Sequence, residues 1–301
     1  MKTLLNYLEE SGVGEELTHV VISLADCVKK IADSMDKSHD GKAGSQNVFG
    51  EEQLALDLIA NEIIVYEMEQ NKHVGIVASE EMEEEKSVGE GEYGVCFDPL
   101  DGSSLVDVNL SVGSIFGIYK TKTFFGVRGD NQLASMIAVY GPKTTILLTV
   151  RHGVCEFLLR SDGEFVLTRE NLQVGPGKMF APGNLRACSK RKDYLKLLDF
   201  WAENNYTLRY SGAMTPDVAQ IMLKGKGIFT YPGYDEQPDG KLRLLYECAP
   251  MALLMEECSG MATDGNLRIL QKDVESLSQR TPILIGSSEE VQRAMDMLQN
   301  G

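Results

Sequence analysis

Residues 95–104 read VCFDPLDGSS, an apolar run that carries two aspartates, Asp98 and Asp101, onto a Gly-Ser-Ser turn. A short apolar run bounded by a turn predicts a buried strand with both acids at its end. Carboxylate oxygens suit hard divalent cations such as Mg²⁺, and the N–H groups and hydroxyls of the turn can face an anionic phosphate. The segment therefore predicts metal-assisted phosphoryl chemistry.

Three predicted strands, including the one above, end in acidic residues. The acids are Glu80 and Glu81 after strand 74–78, Asp98 and Asp101 after strand 93–97, and Glu247 after strand 242–246. Five carboxylates that converge cannot all stay ionised unless cations offset their repulsion. The pattern therefore predicts bound metal, which would also polarise a phosphoryl group and activate a water molecule.

Each of these acids has an ordinary interpretation when taken alone. Glu80 opens an acidic run that continues to Glu85, and such runs are usually solvated loops. Asp57 would be an exposed carboxylate on a helix, and Glu247 a surface residue. Their combination favours a site, although a catalytically silent phosphate-binding regulator stays open as an alternative.

Other phosphatase chemistries lack their parts in this sequence. Four residues separate Cys155 from Arg160, whereas a cysteine-dependent phosphate loop has five between its Cys and Arg. The tripeptide at 151–153, Arg-His-Gly, also occurs in histidine phosphatases, but here it lies between two short predicted strands, as a hairpin turn would.

Composition and charge restrict the class of protein. The 45 acidic and 29 basic residues give a net charge of −16, which argues against nucleic acid or an anionic membrane as partner. No apolar stretch has the length of a membrane span. The six cysteines are scattered without a C-x-x-C pair, so we expect free thiols and a cytoplasmic location.

The periodicity predicts a mixed α/β protein whose 301 residues form two packed subdomains. We expect a loop at 36–49. Predicted helices cover 17–35, 51–68, 192–203 and 250–258, and a further one starts at Thr215 as N-cap and ends near Lys224. Predicted strands cover 74–78, 93–97, 112–119, 144–150, 156–159, 228–231 and 242–246.

The motif DPLDGSS at 98–104 resembles the signature of the fructose-bisphosphatase and inositol-monophosphatase superfamily of Mg²⁺-dependent phosphatases. SVGSIFGIY at 111–119 and GKLRLLYECAP at 240–250 are similar to the sugar bisphosphatases within it. Three blocks resemble the sedoheptulose-1,7-bisphosphatase branch more than the fructose-1,6-bisphosphatase branch: FGEEQLALD at 49–57, KMFAPGNLRA at 178–187 and YTLRYSGAMTPD at 206–217. The similarity covers nearly the whole chain.

The resemblance implies hydrolysis of the 1-phosphate of sedoheptulose 1,7-bisphosphate by a metal-activated water. Fructose-1,6-bisphosphatase activity, or activity on both sugars, is the alternative. It also implies a layered α/β/α/β/α fold, with a metal-binding subdomain at 1–180 and a sugar-phosphate-binding subdomain at 181–301. Two or three Mg²⁺ per subunit, replaceable by Mn²⁺, and a homodimer or homotetramer are expected.

Matching positions carry the roles that the resemblance implies. The implied metal ligands are Glu80, Glu81, Asp98, the carbonyl of Leu100, Asp101 and Glu247. The implied catalytic set is Asp57, which assists the nucleophilic water, with Glu80, Glu81 and Asp98, while Glu51 is a weaker counterpart of Asp57. The implied substrate contacts are Gly102, Ser103 and Ser104 to the 1-phosphate, Asn184, Arg186, Arg209, Tyr210, Tyr231 and Lys241 to the distal phosphate, and Met214 to the sugar.

Overall fold

The computed structural model describes residues 1–35, 42–46 and 52–299, with side chains for 1–35 and 56–298. The helices in these ranges are α1 Leu4–Glu10, α2 Glu15–Met35, α3 Ala55–Gln70, α4 Lys192–Glu203, α5 Met214–Lys224, α6 Ala249–Glu257 and α7 Ser288–Gln299. None of the helices described is long and apolar enough to cross a membrane. Helices α2 and α4 confirm the predicted stripes, and α3 starts four residues later than expected.

The first sheet has eight strands in the order β10-β9-β8-β7-β6-β5-β3-β4, and only its β3–β5 pair is parallel. A separate two-stranded ribbon, β1–β2, precedes it. The ranges are β1 Lys42–Gln46, β2 Glu52–Leu54, β3 Val74–Ser79, β4 Lys86–Ser87, β5 Tyr93–Asp101, β6 Val112–Lys120, β7 Gln132–Tyr140, β8 Thr145–Thr149, β9 Val154–Leu159 and β10 Phe165–Arg169. Strand β1 falls inside the loop predicted at 36–49, whose other residues lie outside the described ranges, as does Glu51.

Strand β7 was not predicted, although it lies near the middle of the sheet. Its sequence carries Gln132 and Ser135, polar residues that interrupt the apolar pattern. Both side chains are buried. Gln132 donates a hydrogen bond to the carbonyl of Ala249 at 3.0 Å, and Ser135 donates one to the carbonyl of Pro250 at 2.8 Å. Hydrogen bonds to the first turn of α6 thus allow both polar side chains to be buried in the strand, which a local pattern does not reveal.

The second sheet has five strands in the order β12-β11-β13-β15-β14. Their ranges are β11 Gly175–Pro182, β12 Thr207–Leu208, β13 Lys226–Tyr231, β14 Met261–Thr263 and β15 Ile283–Gly286. Strand β13 confirms the prediction at 228–231. Strand β11 was missed because two Gly and two Pro make its local sequence poor for a strand.

Two predictions near the C-terminal half were wrong. Residues 242–246 do not form a strand, since Leu244–Cys248 is a π-helical turn in which the N–H of Cys248 donates to the carbonyl of Arg243 at 2.9 Å. Thr215 is not the N-cap of α5. The helix begins at Met214 after the extended residue Ala213, so Thr215 lies within its first turn, where its N–H donates to Asp101.

The elements stack in five layers. Helices α1–α3 pack on one face of the first sheet through Val95 and Phe97. Helices α5 and α6 fill the space between the other face and the second sheet, where Phe229 joins them. Helices α4 and α7 cover the outer face through Trp201 and Ile228. The α/β/α/β/α arrangement is therefore confirmed, while the division at residue 180 stays a prediction.

Candidate active site

An acid-lined cavity of about 390 Å³ opens at the end of strand β5. Six carboxylates line it: Asp57, Glu80, Glu81, Asp98, Asp101 and Glu247. Leu100, Gly102, Ser103, Ser104 and Met214, which the sequence also predicted, lie in the same wall. All six acids that we expected at the site, and that lie in the described ranges, therefore line one cavity.

Strand pairing explains how acids from separate segments meet. Strands β3 and β5 run parallel, with Ser79 opposite Phe97, and the N–H of Glu80 donates to the carbonyl of Phe97 at 3.1 Å. Glu80 consequently lies beside Asp98 at the same edge of the sheet. Strand β5 continues through Asp101, so both aspartates lie within the buried strand rather than after it.

Three of the acids form a compact cluster at the base of the cavity. Asp98, Asp101 and Glu247 are 4%, 8% and 5% exposed, and one oxygen from each lies within 4.8 Å of the others. Burial raises the pKa of Asp98 well above its ordinary value, and the charges of Glu80, Asp101 and Glu247 raise it further. Burial and the charge of Glu80 likewise raise the pKa of Glu247.

Backbone N–H groups hold each acid of the cluster in place. The N–H of Leu100 donates to Asp98 Oδ1 at 2.9 Å, that of Thr215 to Asp101 Oδ2 at 2.5 Å, and that of Arg243 to Glu247 Oε2 at 2.5 Å. Glu247 reaches the cluster from the π-helical turn.

The buried Arg243 guanidinium adds positive charge, with Nε 3.7 Å from Glu80 Oε1. Lys241 also lines this cavity, and these two cations offset only part of the charge of six carboxylates. The donor set is compact and acidic, and all its donor atoms are oxygens. It therefore fits hard divalent cations.

The turn after Asp101 is tightly constrained. Gly102 has φ +80°, and a Cβ placed there would lie 2.3 Å from the Cβ of Ala213. Ser103 then begins a short 3-10 helix that ends at Val108. The backbone amides at its start can receive an anion, next to the acidic cluster.

A second cavity, of about 650 Å³, adjoins the first and is lined by basic and phenolic groups. Asn184 and Arg186 lie in its wall, while Tyr210, Tyr231 and Lys241 line both cavities. The set thus fits an anion bound next to the acidic cavity.

Sequence reasoning missed Arg280, which lines this second cavity. It lies beside the segment of Lys241 because Arg243 and Arg280 form an antiparallel bridge. Nothing in its local sequence, QRTP, marks it as part of a site.

Arg209 lines neither cavity of its own chain. It is exposed, and its Nη1 donates to the carbonyl of Leu208 at 3.0 Å. Its assignment to the distal phosphate stays a prediction. The 151–153 tripeptide joins β8 to β9 as a hairpin turn, as predicted, and does not line either cavity.

The fold and the acidic pocket define a hydrolase that removes phosphate from sugar bisphosphates. Comparison with known proteins identifies its family. The chain matches the family model "Fructose-1-6-bisphosphatase, N-terminal domain" over residues 3–170 and "Fructose-1-6-bisphosphatase, C-terminal domain" over residues 174–299. It belongs to the fructose-1,6-bisphosphatase family, whose members depend on metal.

Relatives from both branches of the family are similar to the chain. It is 41% identical to fructose-1,6-bisphosphatase class 1 of Geobacter sulfurreducens, covering 98% of this chain and 95% of the relative. It is 38% identical to chloroplastic sedoheptulose-1,7-bisphosphatase of Triticum aestivum, covering 98% and 76%.

A crystal structure from Toxoplasma gondii, provisionally assigned as a sedoheptulose-1,7-bisphosphatase, superposes with a TM-score of 0.94 at 33% identity, covering 99% of this chain and 98% of that one. The family prediction is confirmed. Within it, the sequence identities favour the fructose alternative over the sedoheptulose preference that we expected.

Proposed function

We propose that the protein hydrolyses the 1-phosphate of fructose 1,6-bisphosphate, with sedoheptulose 1,7-bisphosphate as a second substrate. The observation that carries this proposal is the pair of adjoining cavities, one acidic and one basic, that share Tyr210, Tyr231 and Lys241. A sugar with a phosphate at each end matches that pairing of charge. The three blocks similar to sedoheptulose enzymes, at 49–57, 178–187 and 206–217, favour the second substrate.

The acidic cluster would hold the divalent cations, two or three Mg²⁺ or Mn²⁺. Their proposed ligands are Asp98, Asp101, Glu247, Glu80, Glu81 and the carbonyl of Leu100. When bound, such cations polarise the phosphoryl oxygens and lower the pKa of a water molecule. Asp57, 5% exposed on the first turn of α3 and in the same cavity, would accept a proton from the attacking water.

The chain's own groups would orient both ends of the substrate. The amides and hydroxyls of residues 102–104 would receive the 1-phosphate. Arg186, Lys241 and Arg280 would hold the distal phosphate, with Asn184 and the two tyrosines nearby. Met214, which is 3% exposed, would contact the sugar.

We also propose a homodimer or homotetramer. Arg209 is exposed and lines neither cavity of its own chain, which is consistent with the family resemblance, in which an Arg reaches a neighbouring subunit's site. A cytoplasmic location remains a prediction from the scattered cysteines.

Steady-state phosphate release from both bisphosphates, compared as kcat/KM with Mg²⁺ present, tests the proposal. We expect turnover of both, with the higher kcat/KM for the fructose compound, and no turnover after metal removal in excess chelator. A higher value for the sedoheptulose compound would reverse the order. Binding of both without phosphate release would instead favour the silent regulator, and full activity without metal would refute the mechanism.

A further inference from the structure

The short segment 209–215 contacts both cavities of the site. Tyr210 lines the acidic and the basic cavity alike. Ala213 lies directly against Gly102, leaving no space for a Cβ there. The N–H of Thr215 donates to Asp101 of the acidic cluster. The segment therefore links the lining of the basic cavity to the acidic cluster.

The segment has little regular structure of its own. Strand β12 ends at Leu208, and the N–H of Arg209 makes the last contact with the sheet, to the carbonyl of Phe180 at 2.9 Å. Gly212 has φ +106°, a conformation that costs other residues energy. Helix α5 starts only at Met214. Residues 210–213 thus need a tertiary contact to hold one conformation.

The carboxylate of Asp217 supplies that contact. It is 2% exposed on the first turn of α5, and the N–H of Ser211 donates to both of its oxygens, at 2.9 and 3.0 Å. Burial raises the pKa of Asp217 to about 6, and hydrogen bonds from Ser211 and the N–H of Gly212 oppose that rise. A buried carboxylate is costly unless donors satisfy it, and these donors all belong to the segment.

We propose that Asp217 is a positioning residue that fixes segment 209–215. Binding of the distal end of the substrate would then align the turn at residues 102–104, which lies beside the acidic cluster. This inference rests on the proposed function, because it assigns a role within that reaction. Asp217 lines neither cavity. It would act through Tyr210 on the distal side and through Ala213 and Thr215 on the metal side.

The first test is Asp217→Asn, which keeps the size and one acceptor oxygen but turns an NH₂ group toward the N–H donors of the segment. We expect KM for fructose 1,6-bisphosphate to rise about tenfold or more, the loss typical of a charge-assisted hydrogen bond. KM for fructose 1-phosphate, which lacks the distal phosphate, should change about threefold or less.

Asp264→Asn is the matched control. Asp264 also accepts two backbone N–H groups, from Asn266 at 2.8 Å and Leu267 at 2.7 Å, but it lines a different cavity. A merely structural role predicts that both variants lower Tm and leave KM alone. Our proposal predicts that only Asp217→Asn changes the ratio of the two KM values.

A double-mutant cycle with Tyr210→Phe separates positioning from fold stability. If Asp217 acts through Tyr210, then Asp217→Asn should raise KM much less in the Tyr210→Phe background than in the wild type. Additive effects would overturn the proposal. Should Asp217→Asn fail to fold, Ser211→Ala, which removes hydroxyl contacts to Ala213 of 3.3 Å, should shift KM in the same direction.

The two hypotheses fail in different ways. A wild-type protein that releases no phosphate from either bisphosphate would refute the proposed function. An active wild type whose KM ratio is unchanged by Asp217→Asn and by Ser211→Ala would refute the positioning role alone.

Discussion

Replacing Asp98 by Asn should make the metal-free protein more stable while it destroys activity. At an effective dielectric constant of about 20, two unit charges 4.8 Å apart repel by about 3.5 kcal/mol, and Asp98 contributes to two of the three pairs in its cluster. Protonation relieves part of this repulsion, so we expect a gain of about 1 to 3 kcal/mol in the free energy of unfolding in chelator. Asn retains the oxygen that accepts from the N–H of Leu100.

The stability of the metal-free protein should also depend on pH. The pKa of Asp98 is raised in the folded chain, so its protonation favours the folded state below that pKa. The metal-free wild type should therefore lose stability as the pH rises from the ordinary carboxyl range through that raised pKa, and Asp98→Asn should show a flatter profile. Added Mg²⁺ should raise Tm of the wild type but hardly that of the variant.

Urea unfolding in chelator and steady-state kinetics with Mg²⁺ measure both effects. We expect kcat to fall about 10³-fold or more, because a lost ligand removes several kcal/mol of transition-state stabilisation. Asp264→Asn is the control with the opposite sign. Although burial opposes it, hydrogen bonds from the N–H of Leu267 and from Lys272 lower the pKa of Asp264, so this variant should lose stability and keep turnover. Loss of metal-free stability together with retained activity in Asp98→Asn would refute the reasoning.

Three further predictions concern the distal site, the turn and the thiols. Lys241→Ala should raise KM for a bisphosphate about tenfold or more and hardly change KM for fructose 1-phosphate. Replacing the exposed Lys226 by Ala should change neither KM value, and steady-state kinetics on both substrates would show the difference. Gly102→Ala should lower Tm and kcat together because its Cβ would overlap Ala213, whereas Gly163→Ala, at a similar φ of +84° but in open space, should cost only backbone strain. Dithiol reductants should leave activity within about twofold, since all six cysteines are free and five are buried; strong activation would show a disulfide that forms on oxidation.

Much of the first sheet could be predicted from the sequence, because strands such as β3, β5 and β6 are buried over nearly their whole length and therefore read as continuous apolar runs. The fold prediction failed where tertiary partners replace local preference. Strand β7 buries two polar side chains against α6. Strand β11 contains Gly and Pro residues but is stabilised by pairing with a strand on each side.

The same division applies to the site. Asp98, Asp101 and the turn that follows are contiguous, so their chemistry could be predicted from VCFDPLDGSS alone. Glu247 was placed correctly in the cavity for a wrong local reason, since a π-helical turn and not a strand carries it. Arg280 was missed because only its bridge to Arg243 brings it beside Lys241.

By itself the sequence determined the family and the acidic motif, since residue identity and short-range spacing are properties of the chain. Tertiary structure alone decided which distant groups meet. It brought Asp101 to Thr215 and placed Glu247 beside Asp98 and Asp101. The physical reason is that burial, charge repulsion and hydrogen bonding depend on distances in space, which packing sets between segments more than a hundred residues apart.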